Sequence, residues 1–227
     1  KAWFYFDDEY VCLGAGITQT GGKADVYSTL NQTNYDGKLQ YAAGGKTESL
    51  KEGKTIQSPD WIQYGSAVYF NLTANTEYKI SLDTALFSLN INHGTNPQNA
   101  AYAYVVKPGL TSAADADKYQ KSLPVKIISN TTEIQAVEHS GLKLTEVIFY
   151  QPGTLKLPNG DAITVDTPCV LMWNSAAGKI SVANPYCETK NPKTIKVTLQ
   201  TQSRTAAFLF DMPQNEFAGR SVSKILK

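Results

Sequence analysis

The chain has 227 residues, enough for one large β domain or two of ordinary size with buried cores. Its 21 basic and 20 acidic residues nearly cancel, so no overall field attracts nucleic acid or an anionic membrane, and we expect neither as a partner. No apolar run approaches the roughly 18 residues of a membrane span and no secretory leader is visible, so we expect a soluble chain.

The first segment is aromatic and apolar, and it is typical of a buried strand. It begins with Ala2-Trp3-Phe4-Tyr5, and we expect Trp3 to lie in the core. Cys12 stands between Val11 and Leu13 and is expected to be a small core residue. A natural chain rarely starts in the middle of a strand, so we expect a fragment of a longer protein.

Short β-rich runs separated by Gly, Asn, Asp and Pro recur along the whole chain, which predicts an all-β fold. Apolar and polar residues alternate most clearly in segments 78–82, 101–105, 163–165 and 195–199. The pair Asn159-Gly160 predicts one hairpin turn, and Gly178 predicts another, because both residue types tolerate the positive φ of tight turns.

One short helix is predicted at 112–119, where Ser112 can cap the first turn and acidic residues follow early. Pro108 precedes this segment and Pro124 follows it. We therefore divide the chain into a β domain at 1–110, a linker with the helix at 111–124, and a second β domain at 125–227.

Candidate catalytic residues are few, because His93 and His139 are the two histidines of the chain. His93 lies in a turn-forming segment, where it has either a structural hydrogen-bonding role or a functional one. His139 is expected to be an exposed turn residue. Neither a Gly-x-Ser-x-Gly elbow nor a His-Glu-x-x-His motif occurs, and Cys spacing fits no metal site. We predict no metal, no cofactor and no hydrolase signature.

Other side chains are weaker candidates for a metal-binding or ligand-binding role. The carboxylates of Asp7-Asp8-Glu9 alternate across a strand, so a solvated strand end is favoured over a calcium site. We expect Trp173 to be core, while Trp61 is the better candidate for stacking on a sugar ring. Four lysines surround a Gly-rich loop and either touch an acidic glycan or keep the loop soluble: Lys38, Lys46, Lys51 and Lys54.

Three segments of the chain form distinctive blocks: KAWFYFDDEYVCLGAGI at 1–17, VYSTLNQ at 26–32 and NHGTNPQNAAYAYVVKPG at 92–109. Together they resemble polysaccharide lyase family 8, the chondroitin AC, hyaluronate and xanthan lyases. The strand pattern of 125–192 resembles the small C-terminal β domain of the family. The resemblance implies the rear of a large antiparallel super-sandwich, similar to galactose mutarotase, followed by that C-terminal domain.

The resemblance also implies an activity, which is β-elimination of uronic-acid polysaccharides such as chondroitin sulfate or hyaluronan. In the family an Asn, a His, a Tyr and an Arg from a preceding α/α toroid, with a Glu from the start of the sandwich, carry the catalysis. All of these motifs precede the segment at 1–17, so we assign no catalytic residue to this chain and expect it to be inactive alone. Trp61 and His93 remain as candidate substrate-binding residues.

The expected partners are an acidic glycosaminoglycan and the N-terminal toroid of the same enzyme. Extracellular polymers as substrates imply a secreted or periplasmic bacterial protein, where a Cys169–Cys187 bridge is one possibility. Two alternatives stay open. The first is a stand-alone carbohydrate-binding β module, and the second is a small mutarotase-like enzyme that uses His93 with a carboxylate partner.

Overall fold

The computed structural model describes residues 1–83, 85–187 and 193–226. The chain forms two compact units, Lys1–Leu123 and Pro124–Lys227. Every strand pairing in the described residues is antiparallel, and the all-β prediction is confirmed. Within the described residues, no helix has the length and apolar character to cross a membrane.

The first unit is a sandwich of two sheets. Its described strands are β1 (Ala2–Tyr5), β2 (Tyr10–Ile17), β3 (Asp25–Asn34), β4 (Leu39–Ala43), β5 (Lys46–Ser49), β6 (Lys54–Gln57), β7 (Trp61–Tyr64), β8 (Ala67–Asn71), β9 (Glu77–Leu82), β10 (Leu86–Thr95) and β11 (Ala100–Pro108). One sheet has seven strands in the order β1-β2-β11-β8-β7-β4-β5, and the other has four in the order β3-β10-β9-β6.

The core of this sandwich follows from the alternation of side chains along the strands. In β9, Tyr78 and Ile80 are buried and the intervening Lys79 is exposed. The two sheets meet at the rings of Tyr64 and Phe87, whose centroids are 3.9 Å apart and nearly parallel. The predicted strands 78–82 and 101–105 therefore lie within β9 and β11.

The helix α1 (Ala113–Lys121) begins at the predicted cap, because the Ser112 hydroxyl accepts a hydrogen bond from the Asp115 N–H at 3.1 Å. It lies in the first unit and packs on the seven-stranded sheet. Its Ala116 is buried, and the rings of Tyr119 and Phe70 are 4.9 Å apart.

The second unit is a separate sandwich. Its described elements are β12 (Val125–Asn130), β13 (Ile134–His139), β14 (Leu144–Phe149), β15 (Gly153–Lys156), β16 (Ala162–Val165), β17 (Cys169–Asn174), β18 (Lys179–Ala183), β19 (Thr194–Gln200), β20 (Thr205–Asp211), a 3-10 turn at Asn215–Phe217, and β21 (Val222–Ile225). A six-stranded sheet, β12-β13-β14-β17-β18-β21, faces a four-stranded sheet, β15-β16-β19-β20. Both predicted hairpins are present, with Gly160 and Gly178 at positive φ in their turns.

The expectation that Trp3 lies in the core is corrected by the strand geometry. Trp3 is 48 % exposed, because Ala2 and Phe4 take the buried face of β1. Cys12, Cys169 and Trp173 are buried, as predicted for Cys12 and Trp173. All three cysteines are free and Cys187 is exposed, so no Cys169–Cys187 bridge forms. Burial raises the pKa of Cys169 to about 12.

Candidate functional site

A cleft of about 460 Å³ opens beside β3, the edge strand of the four-stranded sheet. We name it the edge cleft. It is lined by Lys1, Gly14, Ala15, Gly16, Ile17, Tyr27, Ser28, Thr29 and Tyr102. These residues come from segments 1–17, 26–32 and 92–109, so the three blocks that are far apart in sequence meet at one place.

His93 lies behind this cleft and binds one of its lining residues. On β10, its Nε2 is 2.9 Å from the Ser28 Oγ, and its ring centroid is 6.1 Å from that of Tyr102. Burial lowers the pKa of His93, which favours the neutral imidazole. A neutral imidazole either donates to or accepts from the hydroxyl according to its tautomer. His93 is therefore placed to orient the Ser28 hydroxyl.

The partner of His93 bears on the mutarotase-like alternative, which requires a carboxylate at this histidine. Among the described residues, the hydrogen-bonding partner of His93 is the hydroxyl of Ser28. A hydroxyl does not stabilise an imidazolium as a carboxylate does. The structure therefore gives no support to an acid–base pair at His93.

The floor of the edge cleft depends on Gly14. A Cβ atom added at Gly14 would lie 2.2 Å from Cε1 of Tyr102, so the tyrosine ring packs directly on the glycine backbone. Sequence reasoning did not identify this pair as part of a site. The available signals were the glycines of the first block and the alternating tyrosines of the third, but their contact spans 88 positions of the chain.

The turn after His93 is fixed by positive φ angles and by side-chain bonds. Gly94 has φ 75°, Asn96 has φ 54° and Asn99 has φ 57°, which explains the Gly and Asn residues of the third block. The Asn96 amide bonds both backbone groups of Gly22, accepting from its N–H at 2.7 Å and donating to its carbonyl at 3.0 Å. These bonds hold the loop before β3 against the end of β10.

Tyr27 gives the edge cleft an aromatic wall with a cation beside it. Its side chain is 40 % exposed, and the Lys79 Nζ lies 3.3 Å from its hydroxyl. On the same face, Asn92 donates to both Asp25 and Glu77, at 3.1 and 2.7 Å. Hydrogen bonds from Thr95 and Asn92 lower the pKa of Asp25. The sheet surface next to the edge cleft is thus polar, and hydrogen bonds between its side chains hold them in place.

Trp61 occupies a different environment from His93. It is 0 % exposed on β7, and its indole N–H donates to the Asp117 Oδ1 of α1 at 2.7 Å. A ring with no exposed face cannot stack on a sugar, so this geometry gives the indole a packing role beneath α1. The two sequence-predicted site residues lie in different sheets and are not brought together.

The other candidates are also resolved by their contacts. His139 is buried at the end of β13, and its Nδ1 accepts a hydrogen bond from the Leu142 N–H at 3.1 Å. The prediction that His139 is an exposed turn residue is therefore wrong. Glu9 is likewise buried rather than solvated, and it pairs with the Lys107 Nζ at 3.0 Å. The carboxylate of Asp8 lies 3.4 Å from the same ammonium group. Lys107 thus bridges the two carboxylates and balances one of their two charges.

Two family models match the chain. Residues 1–85 match the super-sandwich domain of polysaccharide lyase family 8, and residues 126–193 match the C-terminal β-sandwich domain of the same family. Together the matches cover about two thirds of the chain. The chain belongs to polysaccharide lyase family 8.

Curated relatives of family 8 align along most of the chain. A chondroitinase-AC of Pedobacter heparinus is 34 % identical over 98 % of this chain and 34 % of its own length. A hyaluronate lyase of Thermasporomyces composti is 27 % identical over 87 % of this chain and 28 % of its own. The chain therefore spans about a third of the length of these relatives.

Solved structures give the same fold. A chondroitinase AC lyase solved as enzyme–oligosaccharide complexes superposes with a TM-score of 0.83 at 30 % identity, covering 98 % of this chain and 35 % of that one. A Paenibacillus xanthan lyase superposes with a TM-score of 0.75 at 23 % identity, covering 97 % and 25 %, and shares the fold. The family and the fold class predicted from the sequence are confirmed.

Proposed function

We propose that the intact protein is a glycosaminoglycan lyase that breaks chondroitin sulfate or hyaluronan by β-elimination, and that this chain is its β-sheet portion. The observation that carries the proposal is the 34 % identity with chondroitinase-AC along 98 % of the chain. The chain supports a preceding α/α toroid and forms part of the wall of the substrate cleft. The enzyme is bacterial and is secreted or periplasmic, because its substrates are extracellular polymers.

The chemistry of β-elimination explains why this chain alone is proposed to be inactive. A base must remove the proton beside the uronate carboxylate, an acid must protonate the leaving oxygen, and the carboxylate charge must be neutralised. The family motif residues with these roles precede the segments found here. Next to the edge cleft, His93 is bonded to the Ser28 hydroxyl and Lys79 to the Tyr27 hydroxyl, and no carboxylate partner of His93 is found among the described residues.

The edge cleft is the proposed place where this chain contacts the polysaccharide. It offers the hydroxyls of Ser28 and Thr29 and the ring of Tyr27, with Lys1 at its rim. Aromatic faces pack on pyranose rings, and hydroxyls exchange hydrogen bonds with those of a sugar. In this proposal His93 is a positioning residue: it orients the Ser28 hydroxyl, and Ser28 rather than His93 contacts the sugar.

The first experiment compares this chain with the longer protein that contains it. Each is incubated with chondroitin sulfate and with hyaluronan, and the ultraviolet absorbance of unsaturated uronate products is followed. We expect product from the longer protein and none from residues 1–227 alone. Turnover by the chain alone would contradict its proposed inactivity. Tight glycan binding without turnover by either protein would favour the carbohydrate-binding module.

The second experiment tests the edge cleft in the longer protein with Ser28→Ala. Loss of one hydrogen bond to the bound sugar should raise KM by about three- to tenfold with little change in kcat. Ser81→Ala on the exposed side of β9 is the matched control and should leave both constants unchanged. If Ser28→Ala and Ser81→Ala have the same KM and kcat, the edge cleft does not contact the substrate as proposed.

A further inference from the structure

A second, larger pocket of about 600 Å³ lies at the edge of the seven-stranded sheet that is opposite to β1. We name it the lysine pocket. It is lined by Asp36, Gly37, Lys38, Leu39, Gln40, Ser49, Leu50, Lys51, Gln63, Gly65, Ser66 and Thr111. Its volume is within the usual range for small-ligand sites, and it shares no lining residue with the edge cleft.

The structure separates three of the four lysines clustered between positions 38 and 54 into two groups. Lys54 is engaged, because its Nζ lies 2.9 Å from the Glu48 carboxylate and also binds the Tyr41 hydroxyl. Lys38 and Lys51 line the pocket, and neither forms an ion pair within the described residues. Two lysines without an ion-pair partner among the described residues therefore line one space.

The nearby carboxylate does not cancel this charge. Asp36 is the acidic residue among the lining side chains, and its Oδ1 accepts the backbone N–H of Lys38 at 3.0 Å. Two lysines stand against one carboxylate that is already hydrogen-bonded to the chain. A ligand with a negative group therefore finds an excess of positive charge here.

Neutral hydrogen-bonding groups on the same surface are held in place. Gln40 pairs across the strands with Gln63 and Ser49, so the three side chains share a face of the sheet. Gln63 is 5 % exposed and is fixed by accepting from the Gln40 amide and donating to the Leu110 carbonyl at 3.1 Å. Within the described residues the Gln40 Oε1 accepts no hydrogen bond, so it remains available to a ligand.

We propose that the lysine pocket binds one acidic sugar unit, with Lys38 and Lys51 holding its carboxylate or sulfate and Gln40 and Ser49 binding its hydroxyls. The choice of saccharide rests on the proposed function. A second site on the same polymer raises the effective concentration of the chain at the enzyme, so it strengthens binding of long substrates more than of short ones.

The test measures binding of a chondroitin sulfate tetrasaccharide to residues 1–227 by calorimetry, in a Ser28→Ala background that weakens the edge cleft. Lys38→Gln/Lys51→Gln should weaken binding at least about tenfold. Lys46→Gln/Lys121→Gln removes the same charge from exposed positions outside the pocket and should change the affinity less than about twofold. Circular dichroism confirms that both variants are folded.

Three outcomes would overturn the inference: no binding, equal weakening by the two double variants, or equal affinity for inorganic sulfate together with no effect of Gln40→Ala. The result is also separable from the proposed function. Lysine-dependent binding by residues 1–227 stands even if the longer protein cleaves no glycosaminoglycan. Conversely, if the longer protein cleaves a glycosaminoglycan but residues 1–227 do not bind the tetrasaccharide, only the proposal for the lysine pocket is contradicted.

Discussion

At the scale of single residues, the edge cleft depends on contacts that leave little room for change. Gly14 and Tyr102 are neighbours on adjacent strands, and the ring lies where a Cβ of residue 14 would be. Ser28 and His93 bind each other from β3 and β10. Small changes at these positions should therefore be measurable as stability or pH effects.

Gly14→Ala should destabilise the first unit by about 1–3 kcal/mol, because the new methyl group overpacks against the Tyr102 ring. Urea unfolding measures the change. Tyr102→Leu in the same chain removes the clashing ring atoms, so Gly14→Ala should cost less in that background. A Gly14→Ala cost that is the same with and without Tyr102→Leu would show that the clash is relieved elsewhere.

His93 should make the first unit less stable in mild acid. Burial lowers its pKa in the folded state, so below its unfolded value of about 6.5 the unfolded chain binds more protons than the folded chain. The free energy of unfolding should then fall as the pH drops from about 7.5 to about 5.5. His93→Gln should flatten this decline in thermal unfolding scans. If the His93→Gln variant loses stability with falling pH as steeply as the parent, other titrating groups cause the decline.

At the scale of elements, α1 is attached to the sheet by a hydrogen bond from the indole of Trp61 and by apolar packing. The indole N–H of Trp61 donates to Asp117, Ala116 of the same helix is buried, and the Tyr119 ring packs on Phe70. Burial of an unpaired N–H is costly, so the Asp117 acceptor fixes the helix position as well as satisfying the indole.

Asp117→Ala should lower the free energy of unfolding by about 1–3 kcal/mol, because the buried indole N–H of Trp61 loses its acceptor. Asp117→Asn keeps a carbonyl oxygen and should retain most of the stability. Lys118→Ala on the exposed side of α1 is the control and should stay within about 0.5 kcal/mol of the parent. Identical urea midpoints for Asp117→Ala and the control would refute the role of this bond.

At the scale of the whole molecule, each unit has its own core. The large core of the second unit is built from residues between Ala136 and Met212, with Ile128, Val222 and Leu226 packed against it. The core of the first sandwich is built from residues between Cys12 and Val106. Neither of these clusters needs an apolar side chain from the other unit.

Residues 124–227 produced alone should therefore fold. We expect a β-type circular dichroism spectrum and a single cooperative thermal transition, since the segment contains both of its sheets and their shared core. Calorimetry provides the check, and Phe210→Ala, which empties a buried site, should lower the midpoint of that transition. A non-cooperative transition in the parent segment would show that the unit requires the rest of the chain.

Much of the architecture was accessible from sequence because its signals are local. Alternation predicted the strands that became β9, β11, β16 and β19, and turn residues predicted both hairpins. The cap at Ser112 predicted α1. The family was accessible because its motifs are contiguous blocks. Period, turn chemistry and motif all act over a few residues, which a sequence displays directly.

Tertiary structure decided the rest, because burial and partners depend on distant residues. Trp3 is exposed while Trp61 is covered by α1, although both tryptophans lie in apolar strands. The Ser28–His93 bond joins positions 65 apart. Three positions apart, Lys54 forms an ion pair with Glu48, whereas Lys51 forms none within the described residues. Sequence patterns state which side chains are available, and packing of the two sheets and α1 determines which of them meet.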